Sequence, residues 1–96
     1  MSDLSVLSAS ELDIALQELK GWSVEQGKLH CQFQFPSFVE AFGFITSVAL
    51  VAETMGHHPE WCNVYNCISV DLITHDAGGI TINDIHLARK MNELAQ

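Results

Sequence analysis

The stretch Lys28-Leu29-His30-Cys31-Gln32-Phe33-Gln34-Phe35-Pro36-Ser37-Phe38 decides the fold, because the spacing of its apolar residues changes partway along it. Leu29, Cys31, Phe33 and Phe35 alternate with His30, Gln32 and Gln34. That period of two predicts a strand with one face on a core and the other in solvent. Pro36, with Ser37 beside it, stands where a helix can begin. From Phe38 to Met55 no further breaker except Gly43 occurs, which predicts the longest helix of the chain. Upstream, residues 22–25 and 28–35 flank Gln26-Gly27, a turn pair, so the first two strands form a hairpin with one apolar face.

Working outward, Ser8-Ala9-Ser10-Glu11 has the form of a capping box, and Leu12, Ala15, Leu16 and Leu19 follow at helical spacing before Gly21. Beyond the break at Gly56-His57-His58-Pro59, residues 61–65 and 67–75 read as two more strands joined by a tight turn at Asn66. In the longer strand Ile68, Val70 and Leu72 share one face, so Ser69, Asp71, Ile73 and His75 fall on the other. Ala77-Gly78-Gly79 is a turn. Thr81-Ile82-Asn83-Asp84 then opens a last helix with Ile85, Ala88, Met91 and Leu94 on one side, and Arg89 and Lys90 suit its C-terminal half. The order α-β-β-α-β-β-α repeats a strand-strand-helix unit without a clear sequence repeat. It predicts an α+β domain: a four-stranded antiparallel sheet with three helices on one face.

A length of 96 residues is one domain, expected to span 1–96, and 48% hydrophobic against 17% charged residues is the balance of a folded chain. Four Lys+Arg against twelve Asp+Glu leave a net charge of -8, which repels phosphate backbones and anionic lipid, so nucleic acid is not an expected partner. The odd count of cysteines, Cys31, Cys62 and Cys67, argues for a reducing compartment, the cytoplasm. Met1-Ser2-Asp3-Leu4 shows no basic or apolar leader, so the mature chain is expected to be the whole chain. The most apolar stretch, residues 41–52 between Glu40 and Glu53, is shorter than the roughly 20 residues of a membrane span and reads as a buried helix, with no membrane partner. Apolar residues nevertheless cover more than one stripe of the long helix. Either a small domain surrounds that helix or the helix is a self-association surface; so short a chain has little material to cover both faces, which favours association.

Glu53, His57, His58 and His75 occupy two loops that can meet across one edge of the sheet. Imidazole, with an unperturbed pKa of about 6.5, gives and takes protons near neutrality, and Glu53 stands four residues before His57, where a carboxylate can orient an imidazole. The blander reading is loop chemistry and helix capping before Pro59. His30 and His86 read as solvated surface, and Trp61 and Tyr65 as packing groups on one strand face. His57, His58, Cys62, Cys67 and His75 include zinc-type ligands, but in no standard spacing. Cys62 and Cys67 lie on different strands whose parities need not converge, and adjacent histidines compete at a tetrahedral centre.

The run Glu53-Thr54-Met55-Gly56-His57-His58-Pro59-Glu60-Trp61, followed by Asn63-Val64-Tyr65-Asn66, Thr74-His75-Asp76 and Asp84, closely resembles the pterin-4a-carbinolamine dehydratase family. Gly21-Trp22, Ala41-Phe42-Gly43-Phe44, Val48-Ala49-Leu50 and Asp84-Ile85 resemble it too, so the likeness runs from about Leu12 to Leu94. It implies a dehydratase that removes water from 4a-hydroxytetrahydropterin, left by aromatic amino-acid hydroxylases, to give quinonoid dihydropterin. Neither a metal nor another cofactor is implied. By position His57, His58 and His75 match the family's active-site histidines, with Glu53 as orienting carboxylate. His57 and His75 are assigned to proton transfer and His58 to substrate binding and assistance. Pro59 and residues Thr74, His75, Asp76 and Ala77 match pterin-contacting positions, although animal members usually carry Glu-Cys where this chain has Asp76-Ala77. The resemblance implies a homodimer or homotetramer through the long central helix and the sheet edge. Animal relatives also act as dimerisation cofactors of a homeodomain transcription factor, so a non-catalytic coactivator module is the alternative function.

Overall fold

A computed structural model describes residues 4–96, so the expectation drawn from Met1-Ser2-Asp3 lies outside the described residues. Ser8 and Glu11 do form the capping box, each backbone N–H donating to the other's side-chain oxygen at 2.8 and 3.1 Å, and α1 runs Ala9–Glu18. None of its residues is buried; Leu12, Ala15 and Leu16 rest on the rim of the core, and Leu19 just beyond the helix is sealed inside it. Strand β1 is Ser23–Glu25 and β2 is Lys28–Gln34. Gln26 and Gly27 both have positive φ, 54° and 77°, the mirror-image turn whose twist matches a two-residue hairpin. Trp22 is a core residue rather than part of β1, and its Nε1–H donates to Asn92 Oδ1 at 2.9 Å.

The long helix α2 spans Phe38–Met55 with Ser37 as its N-cap, and β3 (Glu60–Val64), β4 (Cys67–Leu72) and α3 (Ile82–Leu94) follow. The sheet order is β1-β2-β4-β3, antiparallel throughout. Its inner face presents Leu29 and Cys31 from β2 and Ile68, Val70 and Leu72 from β4 to Ala41, Phe44, Val48 and Ala52 of α2 and to Ile85, Leu87, Ala88 and Met91 of α3. The other face, with Lys28, His30, Asp71, Ser69, Glu60 and Cys62, carries no helix and alternates with the buried row as a half-covered antiparallel sheet does.

Three sequence expectations need correction. Strand β4 stops at Leu72 instead of continuing to His75, because the Thr74 carbonyl accepts the Ala77 and Gly78 N–H groups at 3.1 and 2.9 Å and so closes a turn. Tyr65 does not share a strand face with Trp61: it sits in the hairpin turn at φ 53°, exposed, while Trp61 packs partly on the core. The long helix is not a buried helix. Its buried residues 41, 44, 48 and 52 form one stripe, while Val39 and Leu50 are 77% and 70% exposed. At 18 residues and mean hydropathy 1.5 it is long and apolar enough to cross a membrane by length and composition, with 22% of that window buried. The sheet and α3 can cover only one side of a helix, so the other apolar side of α2 stays bare.

Candidate acid–base site

Gly56 ends α2 in the left-handed conformation, φ 65°, where its N–H returns to the carbonyls of Ala52 and Glu53. The reversal swings His57 inward, to a side chain only 11% exposed, with Nε2 2.5 Å from Asp84 Oδ1. Asp84 is entirely buried. Its second oxygen, Oδ2, accepts the Thr81 N–H and the Thr74 hydroxyl, both at 2.9 Å, and the Thr74 and Thr81 hydroxyls lie 2.7 Å apart. One carboxylate therefore caps α3 with one oxygen and holds an imidazole with the other. The positive end of the α3 dipole and three donors compensate its burial. Among the described residues no buried side-chain polar atom lacks a partner.

The two other histidines are held more loosely. His58 Nε2 meets Glu53 Oε1 at 2.9 Å, both well exposed. His75 Nε2 meets Glu60 Oε2 at 2.9 Å, and Glu60 Oε1 accepts from Lys28 Nζ at 2.7 Å. Lys28 first and His75 second hold the Glu60 carboxyl below the usual carboxylate range, and Glu60 in turn raises Lys28. All three imidazoles thus engage a carboxylate through Nε2. With Nε2–H given to a carboxylate, Nδ1 is the ring nitrogen left to accept a proton, or to donate one from the imidazolium.

The family model described as pterin 4 alpha carbinolamine dehydratase matches residues 5–94. The chain belongs to that family. A protein of Solibacter usitatus provisionally named pterin-4-alpha-carbinolamine dehydratase is 56% identical over 89 residues, covering 93% of this chain and 94% of its own. One of Afipia carboxidovorans with the same provisional name is 54% identical over 97 residues, covering 99% and 95%. The crystal structure of a "transcriptional coactivator/pterin dehydratase" from Brucella melitensis superposes with a TM-score of 0.93 at 45% identity, covering 96% of this chain and all of that one. The family's name is that of hydro-lyases acting on a pterin carbinolamine, and membership supports a dehydratase function on a pterin.

The pterin-dehydratase fold distributes the residues singled out from sequence in specific ways. Glu53 pairs with His58 and not with His57, because the left-handed Gly56 breaks the helical spacing that would have set a carboxylate four residues from its histidine. Thr74 is buried, and its hydroxyl supports Asp84 instead of facing outward. Pro59 and Ala77 are half-buried and Asp76 is exposed, in the loops on either side of His58 and His75. His30 pairs with Asp71 at 2.9 Å on the open sheet face, and His86 is exposed on α3. Cys62 lies opposite Ser69 and Cys67 two residues before Ser69, so the two thiols share the open face on a diagonal. Among the described residues no three His, Cys, Asp or Glu side chains group as a metal site. A groove of about 620 Å³ between α2 and α3, floored by Leu50, Val51 and Met55, contains none of the candidate residues.

Two participants escaped the sequence reading. Both stand among the residues that carry the family resemblance, but there Asp84 has only a place in a helix start and Glu60 no role. The signal for Asp84 was present in Thr81-x-x-Asp84: a capping box uses one carboxylate oxygen and leaves the other to be satisfied when the helix start is buried. Nothing local marks Glu60, whose partners come from a turn and from a strand that is not its sheet neighbour.

Proposed function

We propose that this chain dehydrates 4a-hydroxytetrahydropterin to quinonoid dihydropterin by histidine acid–base catalysis, recycling the pterin used by aromatic amino-acid hydroxylases. The observation that carries the reading is the His57–Asp84 pair: a little-exposed imidazole fixed at Nε2 by a fully buried carboxylate, within a chain of pterin-dehydratase ancestry. The C4a–O bond breaks, a proton is delivered to the departing hydroxyl, and a ring N–H proton is lost to a base. Water leaves and no electron is exchanged, so proton carriers held in position are sufficient for the chemistry. His57 and His75 serve as the proton carriers, and His58, on its exposed Glu53 partner, contributes to binding and assists protonation. Pro59, Asp76 and Ala77 line the approach, and Thr74 acts behind them through Asp84.

The test is the rate of quinonoid dihydropterin formation from 4a-hydroxytetrahydropterin, followed by absorbance against the spontaneous reaction, for the wild-type chain and His57→Ala. Acceleration that disappears in the variant supports the reading; a folded wild-type chain that gives none overturns it and leaves the coactivator alternative. The bare stripe of α2, with Phe38, Val39, Phe42 and Leu50 exposed, supports a homodimer or homotetramer built through this helix and a sheet edge.

A further inference from the structure

Each candidate histidine has a carboxylate, but the three carboxylates are not secured alike. Asp84 is locked by burial, whereas the His58 partner Glu53 is 80% exposed and, among the described residues, makes no second side-chain hydrogen bond or ion pair. Glu60 is the intermediate case. It opens the edge strand β3 on the uncovered face, directly opposite Asp71 of β4, and like charges facing each other across a ladder repel. Both acids are engaged from β2, on the far side of β4: His30 Nδ1 lies 2.9 Å from Asp71, and the Lys28 ammonium reaches past the end of β4 to Glu60 at 2.7 Å. Lys28 closes the first hairpin directly opposite Glu25, yet its ammonium is bonded to Glu60. The chain contains only four Lys+Arg, so one of few cations is committed to fixing this carboxylate.

What that arrangement holds is His75. Its side chain is 71% exposed in the turn after β4, so packing does not set its ring, and the bond from Nε2 to Glu60 Oε2 is what orients it. The two Glu60 oxygens are divided: one faces Lys28, the other the imidazole. The side chain therefore cannot rotate without losing an ion pair. Building on the function proposed above, we infer that Glu60, pinned across the sheet by Lys28, is the positioning residue for His75, keeping Nε2 as the protonated nitrogen and directing Nδ1 to the substrate. Lys28 acts at one further remove, through Glu60.

The experiment has two arms on the full chain. Imidazole ¹⁵N shifts from histidine-labelled protein report the His75 tautomer without reference to turnover. Glu60→Gln and Lys28→Met are expected to move neutral His75 away from the Nε2–H form, while Lys28→Arg, which keeps the charge and the donor, retains it. Turnover is then measured for the same variants. Misplacing a reacting group costs on the order of 10-fold or more, so Glu60→Gln should lower kcat by about 10-fold, with KM changed by less than about twofold. Lys28→Met should fall between Glu60→Gln and wild type, and Lys28→Arg should restore it. In a His75→Ala background, Glu60→Gln should add nothing, since residues that act through one another are not additive. An unchanged His75 tautomer in Glu60→Gln, or a full independent loss in the His75→Ala background, overturns the inference. If the wild-type chain fails to accelerate the dehydration, the proposed function falls, and the tautomer arm still decides for or against the positioning pair.

Discussion

Replacing Asp84 by Asn keeps the shape of the side chain and removes only its charge and one acceptor oxygen. Asp84 accepts three bonds: from His57 at 2.5 Å, from the Thr81 N–H at 2.9 Å and from the Thr74 hydroxyl at 2.9 Å. An amide can supply one carbonyl oxygen. If that oxygen faces Thr81 and Thr74, the NH₂ group faces His57 and Nε2 must become the acceptor, which moves the ring proton to Nδ1. If the amide is turned over, its NH₂ meets the Thr81 N–H, donor against donor, at a fully buried position. The first orientation is the less costly. It exchanges charge-assisted bonds for neutral ones, about 1–2 kcal/mol of stability, and it presents the wrong tautomer to the substrate. An orienting carboxylate lost in this way costs on the order of 10² to 10⁴ in turnover. Asp84→Ala goes further: it leaves the His57 and Thr81 donors unpaired inside the protein and should cost about 3–5 kcal/mol. The assay pairs the absorbance rate of dehydration with a urea unfolding curve for each variant. A folded Asp84→Asn chain retaining turnover within about threefold of wild type would refute the assignment of Asp84 as the group that sets His57.

Further outcomes follow from other parts of the structure. His57→Ala should lower turnover by about a hundredfold or more and also destabilise by about 3 kcal/mol, since it leaves Asp84 Oδ1 buried without its partner; near-wild-type rates would reject it as a proton carrier. Leu50→Glu places a charge on the bare face of α2, at a position that is 70% exposed. Light scattering should then show a smaller species than wild type, and a wild-type chain that is monomeric at micromolar concentration would remove the self-association reading. Burial pushes the Cys31 thiol up from 9.0 to about 11. Because this folded-state value is raised, stability is fully present below about pH 9 and falls as the unfolded thiol ionises ahead of the folded one, by about 2 kcal/mol by pH 11. Urea midpoints across that range should lose this slope in Cys31→Ala. Gly56→Ala meets no atom within 4 Å but must hold φ 65°, so it should destabilise by about 1 kcal/mol, and a change below a few tenths by the same unfolding curve would show that the turn relaxes.

The open sheet face and the bare helix stripe answer different demands. The uncovered face of the sheet is polar, with Lys28, His30, Gln32, Asp71 and Glu60 in register, so water satisfies it without a partner. The bare side of α2 is apolar at Val39, Phe42 and Leu50, where water does not. Association through α2 removes apolar surface, and the acidic net charge of -8 sets a repulsion that such burial must overcome.

Much of this architecture is written locally. The alternation of Leu29, Cys31 and Phe33, the caps at Ser8, Ser37 and Thr81, and the stop at Gly56 each act over a few residues, so the order of elements and the bounds of α2 can be read directly. His57, His58 and His75 could be read as candidates, because loop position and residue type are local and their combination has the family's form. Their partners could not. Glu53 looked like the carboxylate of His57 by helical spacing, but a single positive φ at Gly56 turned that histidine toward a residue 27 positions away. The extent of β4 was misjudged for a related reason: Ile73, Thr74 and His75 are acceptable strand residues, and only the bridge from Thr74 to Gly79 curls them into a turn. By itself, then, the sequence determines the order of the elements, the buried faces of strands β2 and β4 and the three candidate imidazoles, since these depend on side-chain type at short range. Which carboxylate holds which imidazole, and which side of α2 remains bare, depends on directions set when helices and sheet pack together, and only the tertiary structure decides it.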